Sequence, residues 1–176
     1  VTGSDIFVNQ DEIVKGLAPL RNGNPEDLIA AARISIELRN KLLRANKDFT
    51  IETTLSGKSY LPFIDKAKVK GYAINLLYFF VNDLEESLRR IQRRVESGGH
   101  FVSQEDATRR FPRSLKNLEF FVNKADHWAI LDNNEIESRV VIDCSDKKVS
   151  LLRKDLLKKS PLLLRQSLMN SGLVKL

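Results

Sequence analysis

The sequence predicts an α/β domain with a mainly parallel sheet flanked by helices. Three observations predict it. Runs of high β-propensity alternate with stretches of helical periodicity along the chain. The longest apolar run, Tyr72 to Val81, has strand length and ends at polar residues. Polar side chains follow the strand runs, where such sheets bind their ligands. At 176 residues, with 42% hydrophobic and 30% charged content, the chain suits one domain with a real core.

Asp5 to Asn9, DIFVN, is a short β-rich run that delivers Asp11 just past its end, and residues 11–20 read as a brief helix or turn. Asn24-Pro25-Glu26-Asp27 is a strong helix start, with a capping Asn, Pro at the first helical position and acids in the first turn. That helix runs to about Asn46, with Leu28, Ala32, Ile36 and Leu43 at helical spacing. Asp48 to Thr54 has high β-propensity, and Tyr60 to Lys70 is a helix closed by Gly71. Tyr72 to Val81 reads as a strand buried on both faces. Leu84, Leu88, Ile91 and Val95 then form one apolar helical stripe, with Asn82 as its cap and Glu85 in the capping-box position. Gly98-Gly99 ends that helix. A helix over 114–122, strand runs at His127 to Leu131 and Arg139 to Cys144, and a helical 148–176 broken by Pro161 complete the chain.

A net charge of +6 points to an anionic partner. The charge concentrates in Arg89 to Leu118, which packs seven arginines into thirty residues. At 100° per residue, Arg93 falls opposite the apolar stripe while Arg90 and Arg94 lie on its flank, so Arg94 is better placed to reach into a cleft. Arg109, Arg110 and Arg113 gather again beyond the glycines. Planar guanidinium forks on either side of a Gly-Gly turn suit phosphates. The three tyrosines and one tryptophan are not interleaved with the basic runs, which weighs against a nucleic-acid stacking platform.

A single cysteine, Cys144, excludes an intrachain disulfide, and with only His100 and His127 as histidines no metal site is expected. The apolar runs are too short to span a bilayer and no signal peptide opens the chain, so a cytoplasmic location with no membrane partner is expected. The strand-end rule nominates Asn9 and Asp11, then Glu52, Thr53 and Thr54, then Asn82, then Asp132 and Asn133. Gly57-Lys58-Ser59 carries the end of a phosphate-binding loop. The position that the pattern reserves for its first glycine is Glu52, and no other stretch fits, so no Walker A is present.

Taken in series, FVNQDEIVKGLAP, IETTLSGKSYL, RRVESGGHFV, RRFPRSLKNL and DHWAILDNN resemble the zeta-toxin family of P-loop kinases, and most closely its uncharacterised bacterial branch. The resemblance runs from about residue 7 to 134 and implies a P-loop nucleoside-kinase-like fold whose first strand and P-loop are missing from this sequence. It implies residues 1–147 as the kinase domain with a lid at about 96–113, and 148–176 as a C-terminal helical extension. The implied activity is ATP-dependent phosphorylation of a small-molecule hydroxyl, such as that of a UDP-N-acetyl amino sugar, with ATP and Mg²⁺ as cofactors. Lack of Walker A would impair it here, and the competing reading is an inactive remnant that binds a protein or an anion. An antitoxin or self-association completes the implied partners; nucleic acid rests on charge alone. The resemblance assigns Asp11 as the base that orients or deprotonates the acceptor hydroxyl. Asn9, Glu52 and Thr54 fall on the substrate-contacting segments. Arg94 and Arg109 or Arg110 match the arginines that offset charge on the transferring phosphoryl group. Gly98, Gly99, His100 and Arg113 belong to the lid.

Overall fold

The computed structural model describes residues 6–17, 25–99, 101–145 and 148–174. The Asn24 cap and His100 lie outside them. The described chain shows the α/β class expected from the alternation, and it divides into two compact units, Val1–Thr53 with Ile91–Val102 and Thr54–Arg90 with Ser103–Leu176.

In the first unit, β1 (Phe7–Val8) pairs in parallel with β2 (Thr50–Ile51), Phe7 opposite Thr50 and Val8 opposite Ile51. Between them come α1 (Gln10–Leu17) and α2 (Pro25–Arg44), which pack together, so a helical crossover joins the parallel strands. Val8, Val14, Ala31, Ser35 and Leu43 are buried. The covered face of α2 is therefore rotated from the expected stripe, because small Ala31 and Ser35 sit one turn apart on it while Ile36 is exposed.

The second unit holds the sheet β3 (Asn75–Phe80), β4 (His127–Asp132), β5 (Arg139–Ser145) and β6 (Lys148–Leu151), in that order. β3 and β4 are parallel, Asn75 opposite His127 through Phe80 opposite Asp132, whereas β5 and β6 continue as an antiparallel meander. The helices are α3 (Leu61–Val69), the N-terminal half of α4 (Leu84–Glu96), α5 (Gln104–Val122), α6 (Lys154–Lys159) and α7 (Leu162–Asn170). α5 packs against α7, and Leu118, Ile130, Leu164 and Leu168 are sealed from solvent in the core of this unit. Burying each such side chain contributes about 1.5–3 kcal/mol. Among the described residues, no helix is long and apolar enough to cross a membrane.

Four local expectations are corrected. β3 is buried on one face only: Tyr78 and Phe80 point inward, while Leu77 and Phe79 are 50% and 51% exposed. The cap of α4 is Asp83, whose Oδ1 accepts the Glu86 N–H at 2.8 Å, because the helix starts one residue later than an Asn82 cap requires. α5 begins at Gln104 rather than 114. Ser103 Oγ caps it by accepting the Asp106 N–H at 3.1 Å, and Pro112 is carried inside the helix, so Arg109, Arg110 and Arg113 are helical rather than loop residues. The stretch 148–176 opens as strand β6, with Val149 opposite Cys144, before Pro161 separates α6 from α7.

Candidate functional site

β1 ends at Val8, and the next residue builds the site. Asn9 Oδ1 accepts the backbone N–H of Asp11 at 2.8 Å and of Glu12 at 3.4 Å, which makes Asn9 the N-cap of α1. Asp11 thereby sits in the first helical turn, where the amide dipoles favour a carboxylate. The other end of the Asn9 amide, Nδ2, donates to Glu52 Oε2 at 2.7 Å. Three of the nominated residues are thus brought together at the carboxyl ends of adjacent parallel strands.

Thr54 belongs to the second unit. Its hydroxyl lies 2.9 Å from Ser56 Oγ, and between the two Leu55 adopts φ 52°, a left-handed conformation that non-glycine residues avoid. The strain is held by two anchors: the Leu55 side chain is buried, and its carbonyl accepts Asn117 Nδ2 at 2.9 Å.

The arginines fall into two groups. Arg94 lies near the end of α4, where Gly99 N–H donates to Arg94 O at 2.8 Å and Gly98 N–H to Val95 O at 2.9 Å, closing the helix with Gly98 at φ 80°. Among the described residues, no hydrogen bond or ion pair engages the Arg94 or Arg113 guanidinium. Arg109 and Arg110 share one carboxylate on α5. Arg109 Nη2 pairs with Asp106 Oδ1, and Arg110 Nη2 lies 3.0 Å from Oδ2. The hydrogen bond from Arg109 chiefly, with the Arg110 charge, holds the Asp106 carboxyl below the usual carboxylate range.

A third cluster closes the carboxyl edge of β3 and β4. Asp132 is buried, its Oδ1 accepts the Asn134 N–H at 2.9 Å, and Arg139 Nη2 lies 3.7 Å from its Oδ2. Asn134 Oδ1 in turn accepts the Asn82 N–H at 2.9 Å, and the Asn133 N–H donates to Phe80 O at 2.9 Å. The Asp132 side chain and the Asn82 and Asn133 backbone N–H groups thus join two strand ends.

Lys58, the lysine of the Gly-Lys-Ser stretch, lies 3.4 Å from the centroid of the Phe120 ring, a cation–π contact rather than a phosphate cradle. Among the described residues, no group of three or more His, Cys, Asp or Glu side chains could hold a metal ion. The first unit thus offers a carboxylate at the capped start of α1, and the second offers the Thr54–Ser56 hydroxyl pair and the Arg109–Arg110 forks on Asp106.

No family model matches the sequence. An uncharacterised protein of Haemophilus influenzae strain Rd is 35% identical to this chain over 100 residues, which is 57% of this chain and 70% of that one. The chain belongs to the family of that Haemophilus protein. Among solved structures, a chain from the PezAT chromosomal toxin–antitoxin system of the human pathogen Streptococcus pneumoniae matches with a TM-score of 0.58, covering 94% of this chain and 72% of that one. At 15% identity the likeness is one of fold: the zeta-toxin-like, P-loop-kinase-like α/β fold.

On that fold, three residues that the strand-end rule and the resemblance do not name hold local structure around the candidate groups: Asp106, Leu55 and Asn134. Asp106 was legible through its i, i+3 and i, i+4 spacing to Arg109 and Arg110. Leu55 and Asn134 had no comparable signal, since a strained backbone and a loop clamp are properties of tertiary contact.

Proposed function

We propose that this chain serves phosphoryl transfer to the hydroxyl of a small molecule, in the manner of the zeta-toxin kinases whose fold it has. The observation that carries the reading is Asp11, positioned by the Asn9 cap at the first turn of α1 and at the carboxyl end of a parallel strand. Asp11 accepts the proton of the acceptor hydroxyl as the hydroxyl oxygen attacks the γ-phosphorus of ATP and the bond from that phosphorus to the departing ADP oxygen breaks. The zeta-toxin resemblance supplies the remaining roles: Thr54 as an acceptor-contacting hydroxyl, and Arg94 with Arg109 or Arg110 as the cations that would offset charge on the phosphoryl oxygens. A UDP-N-acetyl amino sugar is the proposed acceptor, ATP with Mg²⁺ the donor, and a protein antitoxin the proposed macromolecular partner, since the fold neighbour comes from a toxin–antitoxin system. The roles assigned to these residues stop at the acceptor and the transferring group.

The test is transfer of radiolabelled phosphate from Mg-ATP to a panel of UDP-N-acetyl amino sugars and other small alcohols. Asp11→Asn is expected to lower the rate by about 10²–10⁴-fold, the usual contribution of a positioned base. Failure of the unmutated protein to label any acceptor would sink the reading. A second reading, an anion- or protein-binding module without catalysis, is favoured by Lys58 lying over Phe120; retained binding of inorganic phosphate without transfer would support it.

A further inference from the structure

We propose that Glu52 is a positioning residue for Asp11, acting through the Asn9 amide and the first turn of α1 rather than by contact with substrate. The proposal rests on the reading of Asp11 as the base. It starts from strand register. Val8 and Ile51 are the last paired residues of β1 and β2, and the Glu52 N–H still donates to Val8 O at 3.3 Å. One step further along each strand stand Asn9 and Glu52, side by side at the strand spacing of about 4.8 Å with side chains on the same face. Two residues 43 apart in sequence thus meet because the parallel ladder aligns them.

Both ends of the Asn9 amide are then committed. Its oxygen accepts two N–H groups of α1, and its NH₂ donates to the Glu52 carboxylate. A flipped amide would set NH₂ against the Asp11 and Glu12 N–H groups and oxygen against a carboxylate, two repulsive contacts in place of attractive ones. Glu52 therefore selects the amide orientation that caps α1. The cap fixes the Asp11 N–H, while among the described residues no hydrogen bond or ion pair engages the Asp11 carboxylate. The chain of contacts ends on a fixed backbone bearing an open carboxylate, the arrangement a base needs to meet an incoming hydroxyl.

The relay makes distinct predictions for neighbouring variants. Glu52→Gln keeps an acceptor oxygen for Asn9 Nδ2 and should preserve the cap. Glu52→Ala removes it. Asn9→Asp retains the capping oxygen but sets carboxylate against carboxylate, and should disturb the cap as Glu52→Ala does. The first readout, independent of catalysis, is amide hydrogen exchange at Asp11 and Glu12. Glu52→Ala and Asn9→Asp should accelerate it on the order of tenfold, as for loss of one charge-assisted hydrogen bond, and Glu52→Gln should leave it near the unmutated rate. The second is a kinetic split in the phosphotransfer assay: Glu52→Ala should lower kcat on the order of tenfold with KM changed by less than about twofold, and Glu52→Gln should restore it. Unchanged exchange in Glu52→Ala overturns the relay, and so does a rise in KM with kcat intact, the mark of direct substrate contact. Accelerated exchange in a protein that transfers no phosphate upholds the relay and fails only the kinase reading.

Discussion

Gly99 lies directly beneath the side chain of Arg94. A Cβ added at Gly99 would stand 2.5 Å from Arg94 Cγ and 2.8 Å from Arg94 O, so even one methyl group must displace the arginine or open the end of α4. Gly98 is different. Its φ is 80°, yet nothing lies within 4 Å of the place its Cβ would take. The two adjacent glycines are required for different reasons, one for space and one for conformation.

Alanine scanning should separate them. Gly98→Ala is expected to cost about 1–2 kcal/mol, the penalty of a left-handed L-residue, without altering the setting of Arg94. Gly99→Ala should cost about 1–3 kcal/mol as overpacking and also shift Arg94. Urea denaturation measures the first effect in both variants. The Arg94 Nε–H chemical shift measures the second, and should move in Gly99→Ala alone.

What the sequence disclosed was what depends on local pattern. Alternation gave the class, Pro25 marked the start of α2 and Gly71 the end of α3, with Gly98 closing α4. Errors cluster where tertiary contact overrules the pattern. The helix expected over 114–122 starts ten residues earlier, because Ser103 caps it and it runs through Pro112. The stretch 148–176 is leucine- and lysine-rich, yet the free edge of β5 recruits its first four residues, Lys148 to Leu151, as a strand around the β-branched Val149. Leu77 and Phe79 are apolar without being enclosed, so hydrophobicity alone could not tell a one-sided strand from a two-sided one. For the candidate site, Asn9, Asp11 and Glu52 were named from strand ends and resemblance, but their mutual hydrogen bonds follow from register between distant segments and left no trace in spacing.

The buried pair Tyr78–Ser114 gives a pH-dependent prediction. Tyr78 Oη lies 2.9 Å from Ser114 Oγ, joining β3 to α5, and burial pushes the phenol from 10.0 up to about 12, against the smaller opposing effect of the Ser114 hydrogen bond. A raised folded value means that the neutral phenol stabilises the fold fully below pH 10 and loses that contribution as pH rises toward 12. The shift of about two units corresponds to about 3 kcal/mol across this window. Tyr78→Phe should cost about 1 kcal/mol at neutral pH, for one hydrogen bond and a stranded Ser114 hydroxyl, and should flatten this part of the alkaline slope. Stability measured from pH 8 to 12 in both proteins checks it; parallel curves would contradict the assignment.

Leu55 offers the sharpest test of backbone strain, because at φ 52° the ordinary ranking of alanine over glycine should invert. Truncation to alanine loses most of a buried side chain, at about 2–5 kcal/mol, and leaves the left-handed penalty in place. Glycine loses one methyl group more but adopts the conformation freely, recovering about 1–2 kcal/mol. Leu55→Gly is therefore expected to be as stable as Leu55→Ala or more so, whereas at an unstrained position glycine would be the worse of the two by about 0.5–1 kcal/mol. Because the Leu55 carbonyl is held by Asn117, Asn117→Ala should release the turn, and in that background the inversion should shrink. Equilibrium unfolding of the two single variants and the two doubles forms the cycle, and a normal ranking of alanine above glycine in the unmutated background would show that the turn carries no strain.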